Sequence, residues 1–324
     1  MKTISILLFL LILMLCSCDP SISAHDDGLL SIVTFNCQTL FDDIEDGDEF
    51  SPYSRYEGWS RAKYEKRIDK LREAVKNDFD ADIIFFQEIE SEKVLEDLLD
   101  SSLRRRGYLY YTVADINNPI TVGFISKYNP VSVSAHGSGG SRLVMRSEFV
   151  IDEHQLIIYT LHAKSNIGDG EENREERKNT AALINSLVRH EMTAEVIILG
   201  DFNSEPGIYP DDMLTMLDPC SSREIIEESS IPVCYKPDRL DPMNFYDPLL
   251  DPSVPLSGNG TYYYNGSFFD YDRLLLNKSL YEKSSAFSID ILTSSGMNGI
   301  PYRYDPESGE GFSDHFPVKL TLFL

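Results

Sequence analysis

The feature that most constrains this chain is a pattern repeated along it: short apolar runs that stop at polar groups. "SIVTF" ends at Asn36, "DIIFF" at Gln87 and Glu88, "LIIYTL" at His162, and "VIIL" at Gly200, Asp201, Phe202 and Asn203. Two further runs begin where polar residues finish: "RLLLN" follows Asp272, and "FPVKLTL" follows Ser313, Asp314 and His315. Runs this short and this apolar read as strands buried on both faces. Each polar group alone has a plain explanation. Gly, Asp and Asn favour turns, Glu88 can cap a following helix, and a lone histidine is commonly structural. Recurrence changes the weighting, because strand ends in packed sheets share an edge where side chains can converge.

Helical patterns lie between these runs. Tyr64, Ile68, Leu71 and Val75 recur at spacings of four, three and four, which predicts a helix from Ser60 to Asn77. Val94, Leu95, Leu98, Leu99 and Leu103 mark a second helix. Ala181, Ile184, Leu187 and Val188 mark a third, from about Asn173 to Met192. "LLSIVTF", "ITVGFIS", "EFVI", "GTYYYNG" and "FSIDIL" add strands. The expected fold is α+β, a single domain over residues 29–324 with two packed sheets flanked by helices. Nine of the sixteen prolines fall between Pro206 and Pro255, which predicts extended loops there and makes that region a candidate for substrate contacts.

The polar set has a recognisable chemistry. Glu88, Asp201, Asp272 and Asp314 bring carboxylates, Asn36 and Asn203 amides, and His162 and His315 imidazoles. Hard oxygen ligands suit Mg²⁺, Mn²⁺ or Ca²⁺ rather than zinc, and no zinc-type Cys/His cluster is present. Imidazoles serve as acid–base or phosphate-binding groups near neutral pH. Together these are the components of metal-assisted hydrolysis of a phosphate ester.

The order of "TFN" (Asn36), "FFQEIES" (Glu88), "TLHAKS" (His162), "LGDFNSEP" (Asp201, Asn203), "YDRLLLN" (Asp272) and "SDHFP" resembles the endonuclease/exonuclease/phosphatase superfamily, from about Leu29 to Leu322. The resemblance implies a four-layer α/β sandwich of two mixed sheets with helices outside, as in deoxyribonuclease I. It also implies roles: Glu88 as main metal ligand with Asn36 and Asp314 nearby, and Asp201 orienting or deprotonating water. His162 and Asn203 would bond the phosphoryl oxygens, and His315, held by Asp272, would act as acid/base or electrostatic stabiliser. Asp270 in "FDY" is a rival for the Asp272 role. "HAKS" and the spans around "GWSRAKYEKRIDKL" look like the secreted bacterial nuclease-like members, although "DINNPITVGFIS" lacks the expected Arg-Gly pair.

The expected partner is therefore a nucleic acid, DNA favoured, although a net charge of −24 excludes a protein that coats nucleic acid nonspecifically. Local basic groups are available: Lys164, Arg174 and Arg177 follow the histidine run and are candidate substrate contacts, and Arg142 lies in "SRLVMRSEF". The basic residues of the first helix, Arg61 to Arg72, read as a solvated face. Alternatives are a sphingomyelinase-like or phosphoinositide-phosphatase-like enzyme and, in another class, an idle binding lipoprotein of the same fold.

The N-terminus reads as a targeting segment. Lys2 precedes an apolar run from Ile4 to Leu15, too short to span a bilayer permanently and suited to a signal peptide. "LCSC" resembles a lipobox, so residues 1–17 are expected to be cleaved, Cys18 lipidated, and residues 18–28 to form a tether. That places the protein in the cell envelope, lipid-anchored outside the cytoplasmic membrane, with no protein partner predicted. Cys220 and Cys234 can pair in an oxidising compartment, leaving Cys37 single, buried and inert.

Overall fold

A computed structural model describes residues 28–114, 118–137, 142–166, 170–206, 216–219 and 229–324. The proposed signal peptide, Cys18 and most of the tether lie outside the described residues, as does Cys220.

The strands are β1 (Leu29–Leu40), β2 (Ile83–Ile89), β3 (Tyr110–Val113), β4 (Thr121–Ser126), β5 (Ser132–His136), β6 (Val144–Ile151), β7 (His154–His162), β8 (Glu195–Asp201), β9 (Leu217–Pro219), β10 (Ile231–Cys234), β11 (Phe245–Tyr246), β12 (Tyr262–Tyr264), β13 (Ser267–Phe269), β14 (Asp272–Asn277), β15 (Ala286–Ile291), β16 (Gly296–Met297), β17 (Ile300–Pro301) and β18 (Val318–Phe323). The helices are α1 (Arg61–Ala74), α2 (Glu92–Leu98), α3 (Ser101–Arg105), α4 (Glu171–Val188) and α5 (Lys278–Lys283). One sheet has the order β15-β18-β1-β2-β4-β3, the other β5-β6-β7-β8-β14-β11-β10-β9. Both mix parallel and antiparallel neighbours.

Period-two alternation explains the continuous apolar runs. In β1, Ile32 faces the second sheet with Phe85, Phe124, Ile158, Leu199 and Leu274. Its neighbours Val33 and Phe35 face the other way, onto Tyr64, Ile68 and Leu71 of α1 and Val94 of α2. In β8, Ile197 and Leu199 enter the core between the sheets, while Val196 and Ile198 pack with Ala181 and Ile184 of α4. The result is four layers: helices, six strands, eight strands, helix. Phe85 and Phe124 sit 5.5 Å apart at the inter-sheet core, where truncating a phenylalanine costs about 3–5 kcal/mol.

Three local expectations change. The second helix divides at Asp100, whose side chain accepts from the backbone N–H groups of Ser102 and Leu103 and so caps α3. The proline-rich region is not only loop: β9, β10 and β11 extend the eight-stranded sheet. They are short, as Pro219 and Pro232 within them require. "GTYYYNG" is half of a separate hairpin, β12 paired with β13, rather than a strand of either main sheet. No helix among the described residues is long and apolar enough to cross a membrane.

Topology collects the polar strand ends. β2 runs parallel to β1, so Asn36 and Glu88 finish at the same end. β8 runs parallel to β7, with His162 opposite Asp201. β14 runs antiparallel to β8 and begins there, with Asp272 opposite Asp201. β18 runs antiparallel to β1, so the Ser313–His315 segment before it arrives at that end too.

Candidate active site

At the polar end of the sandwich, Asp201 hydrogen-bonds across from the eight-stranded sheet to the six-stranded one. The Asn36 amide donates one hydrogen bond to Glu88 Oε1 at 3.0 Å, within its own sheet, and another across to Asp201 Oδ2 at 2.9 Å. Asp201 Oδ1 accepts from the backbone N–H of Asn203 at 2.8 Å, and its Oδ2 accepts from the Asn203 amide at 3.0 Å. Phe202, between them, is fully buried beside α4. Gly200 precedes this turn with φ of +131°, and a Cβ there would lie 2.0 Å from the Leu161 carbonyl oxygen, so only glycine fits.

Glu88 is displaced from its strand by a bulge. Gln87 pairs with Asn36 and Ile89 with Leu40, leaving Glu88 between them at φ 60°. This left-handed conformation is unfavourable for a non-glycine residue and is held here by contacts at both carboxylate oxygens. Besides Asn36, the backbone N–H of Thr39 donates to Glu88 Oε2 at 2.8 Å.

The two histidines are set to opposite protonation states. His162 is buried, and its Nδ1 lies 3.2 Å from Arg142 Nη1. A guanidinium only donates, so Nδ1 accepts and Nε2 carries the proton. Burial, then the Arg142 charge, hold the ring well below its ordinary pKa, hence neutral. Nε2 faces Glu88 at 3.5 Å and Asp201 at 3.7 Å. His315 is also buried, which alone would disfavour its charge. The Asp272 carboxylate, 2.7 Å from Nδ1, reverses that, and with Asp201 and Asp314 raises His315 to about 10. Its Nε2 faces Asp201 and Asp314, each at 3.9 Å.

Asp272 therefore takes the histidine-orienting position and Asp270 does not; the Asp270 backbone N–H instead donates to Glu205. Lys164 is half-buried and 3.8 Å from Glu176. Arg174 is half-buried in α4. Arg177 is buried, and its Nη1 donates to the carbonyls of Lys164 and Ser165. Its visible work is to hold the loop after His162, not to present charge to solvent. Three contributors were not among the sequence candidates. Arg142 was noted only as local basic character. Thr39 acts through its backbone, which no side-chain pattern reveals. Tyr262 was read as strand core, yet its ring lies 4.6 Å from that of His315.

The residues fit a divalent cation. Four carboxylates share this pocket with protonated His315 and with Arg303, 3.8 Å from Asp314. Burial, then Asp314, raise Glu88, and burial above all raises Asp201 to about 7. Among the described residues, Asp272 Oδ1 is a buried atom with no hydrogen-bond partner. Glu88, His162 and Asp201 form one group able to hold an ion, and Asp201, Asp272 and His315 another. Such an excess of buried negative charge is stable when a cation is bound.

Comparison with known proteins agrees. A family model described as Endonuclease/Exonuclease/phosphatase family matches residues 31–221. No curated protein matches by sequence. Among solved structures, TDP2 from C. elegans superposes with a TM-score of 0.58 at 15% identity, covering 94% of this chain and 78% of that one. Beta toxin 275-280 from Staphylococcus aureus gives 0.55 at 17%, covering 90% and 99%. D. rerio TDP2 complexed with single strand DNA product gives 0.53 at 14%, covering 91% and 99%.

Proposed function

Because the chain belongs to the endonuclease/exonuclease/phosphatase family, we propose that it is a divalent-metal phosphodiesterase, a DNase-like nuclease of the secreted bacterial kind, tethered in the cell envelope through Cys18. The observation that carries the chemistry is the buried carboxyl of Asp201, raised to about 7, standing 3.9 Å from the Nε2 of a histidine held by Asp272.

Glu88, with Asn36 and Asp314 at its side, would hold the ion, with Mg²⁺ the favoured one and Mn²⁺ or Ca²⁺ also suited to these oxygen donors. When bound, it supplies Lewis-acid polarisation of a phosphoryl oxygen. Asp201 takes a proton from the attacking water, since its pKa near neutrality lets it be both ionised and basic at working pH. Asn36 and Asn203 fix its two oxygens, so the carboxylate does not rotate as the proton moves. His162 Nε2–H, its tautomer set by Arg142, donates to the phosphoryl group as charge builds. As the P–O bond to the leaving group breaks, protonated His315 can give its Nε2 proton to the leaving oxygen, and Asp272 holds the imidazole for that transfer. Lys164 and Arg174 would contact flanking phosphates.

DNA is favoured because the neighbouring D. rerio TDP2 was solved with a single strand DNA product. A second reading, a phospholipid phosphodiesterase, is favoured by the β12–β13 hairpin. There Tyr262, Tyr264, Phe269 and Tyr271 form a stacked ladder with Tyr264 44% exposed. The test is to assay the purified protein on plasmid DNA, RNA, sphingomyelin and phosphoinositides with Mg²⁺, Mn²⁺ or EDTA, beside His315→Ala. DNA cleavage lost in EDTA and in the variant is expected. Turnover of lipid but not DNA overturns the substrate, and activity surviving both treatments overturns the mechanism.

A further inference from the structure

The geometry points to Arg67 of α1 as a positioning residue for the metal-holding end of β1 and β2. This inference rests on the reading of the site as a divalent-metal centre. Arg67 stands among basic residues of a helix face that otherwise meets solvent or the segment before β18: Lys66 pairs with Glu310, and Lys70 bonds the carbonyls of Gly309 and Gly311. Arg67 instead is 4% exposed. Its guanidinium lies 3.9 Å from the ring centre of Tyr304 and spends its donors on three consecutive carbonyls. Nη2 reaches Cys37 at 2.5 Å and Gln38 at 2.6 Å, and Nη1 reaches Thr39 at 2.9 Å.

These carbonyls belong to the irregular end of β1. Gln38 and Thr39 have φ of 52° and 54°, a left-handed pair that neither residue type favours. A chain whose carbonyls turn toward one guanidinium turns its N–H groups the other way, and here that way is the site. The Gln38 N–H donates to Asn36 Oδ1 at 2.9 Å, and the Thr39 N–H donates to Glu88 Oε2 at 2.8 Å. Arg67 thus fixes, through one turn of backbone, the orientation of the amide and of the carboxylate proposed to face the ion. Lysine does not replace it: a compact ammonium lacks the planar fork that spans three carbonyls and the flat face that stacks on Tyr304.

Arg72 supplies a matched control. It lies on the same helix and also bonds buried backbone, the carbonyls of Asp97 and Leu98, but these lead away from the site. Mn²⁺ binding to the purified protein is measured by electron paramagnetic resonance of the free ion, with no substrate present, for wild type, Arg67→Lys, Arg72→Lys and Tyr304→Leu. Circular dichroism reports folding. Removing a group that orients metal ligands weakens binding by about 10–100-fold, and this is the loss expected for Arg67→Lys. Arg72→Lys is expected to bind as wild type. Tyr304→Leu removes only the stacking surface and is expected to weaken binding less, in the same direction; it carries the test if Arg67→Lys does not fold. Wild-type affinity in Arg67→Lys or, where that does not fold, in Tyr304→Leu, or equal losses in Arg67→Lys and Arg72→Lys, overturns the assignment. Wild-type protein that binds no Mn²⁺ overturns the metal-site reading itself.

Discussion

At the start of β2, Asp82 meets Lys127 at 3.1 Å and accepts from both the backbone and the hydroxyl of Ser31. At the start of β8, Glu195 lies between His154 at 2.9 Å and Lys283 at 2.7 Å. The same two strands end in Glu88 and Asp201, which share the Asn36 amide and stand in a cluster with two histidines and two further aspartates. Burial would raise all buried carboxyls alike. At the start of β2 the neighbours outweigh it, and Asp82 is held below its ordinary value. At the strand ends they do not, and Asp201 rises to about 7. The sandwich closes its charge at one end and leaves it open at the other. That imbalance separates a structural carboxylate from one available to bind an ion or move a proton.

This contrast sets the expected effects of substitution. His315→Ala removes a group proposed to handle a proton at the open end and is expected to lower kcat by about 10²–10⁴-fold, a loss well beyond what breaking its ion pair with buried Asp272 takes from stability. Steady-state kinetics alongside calorimetry check it, and a loss explained by unfolding breaks the comparison. Asp82→Asn is expected to do the reverse. It leaves Lys127 without its charged partner, at a cost of about 3 kcal/mol in stability with kcat retained. The sign with pH follows. Asp82 is depressed in the folded state, so its contribution is present above the unfolded carboxyl pKa of about 3.9 and is lost as pH falls through the folded value. Acid titration of stability in wild type and Asp82→Asn checks this.

At the open end the profile appears in the rate. Activity rises as Asp201 ionises, below the value of about 7 it has without an ion, because a bound cation favours the carboxylate. It falls as His315 loses its proton, whose value of about 10 the same cation lowers. Asp272→Asn removes the charge that holds His315 up, so the alkaline limb moves toward neutrality. An unmoved limb separates His315 from that ionisation. The smallest effect is expected at Lys164→Ala. This side chain is 37% exposed, where a charge contact contributes at most about 1 kcal/mol. KM for DNA rises by less than about tenfold, most visibly at low salt.

Much of this was legible in the sequence because the strands are buried on both faces. In such runs a polar residue stands out: Glu88, His162, Asp201 and Asp272 each lie at or next to a strand end, although β1 runs on past Asn36 to Leu40 through a bulge. Two packed sheets flanked by helices followed from the alternation of runs and helices, and the four-layer sandwich from the family resemblance. What escaped was whatever depends on backbone shape or on a partner distant in sequence. Arg67 sits among other lysines and arginines of the first helix, and nothing in its spacing tells that its head group turns inward to residues 37–39. The left-handed Gln38, Thr39 and Glu88 are not glycines, so no residue type announces the bulges. β9 to β11 are short, two of the three hold a proline, and none carries a period. The resemblance prefers Asp272 to Asp270 by the spacing of "DRLLLN", and it is Asp272 that meets His315.

The central claim is that the open end is completed by a divalent ion. The most direct measurement is thermal unfolding of wild type and Glu88→Gln in Mg²⁺ and in EDTA. A ligand at a hundred times its dissociation constant stabilises the folded state by about 2.7 kcal/mol. Wild type is expected to gain stability of that order in saturating Mg²⁺, and Glu88→Gln to lose most of the gain. A wild-type protein equally stable in Mg²⁺ and EDTA, or a gain that survives Glu88→Gln, would contradict it.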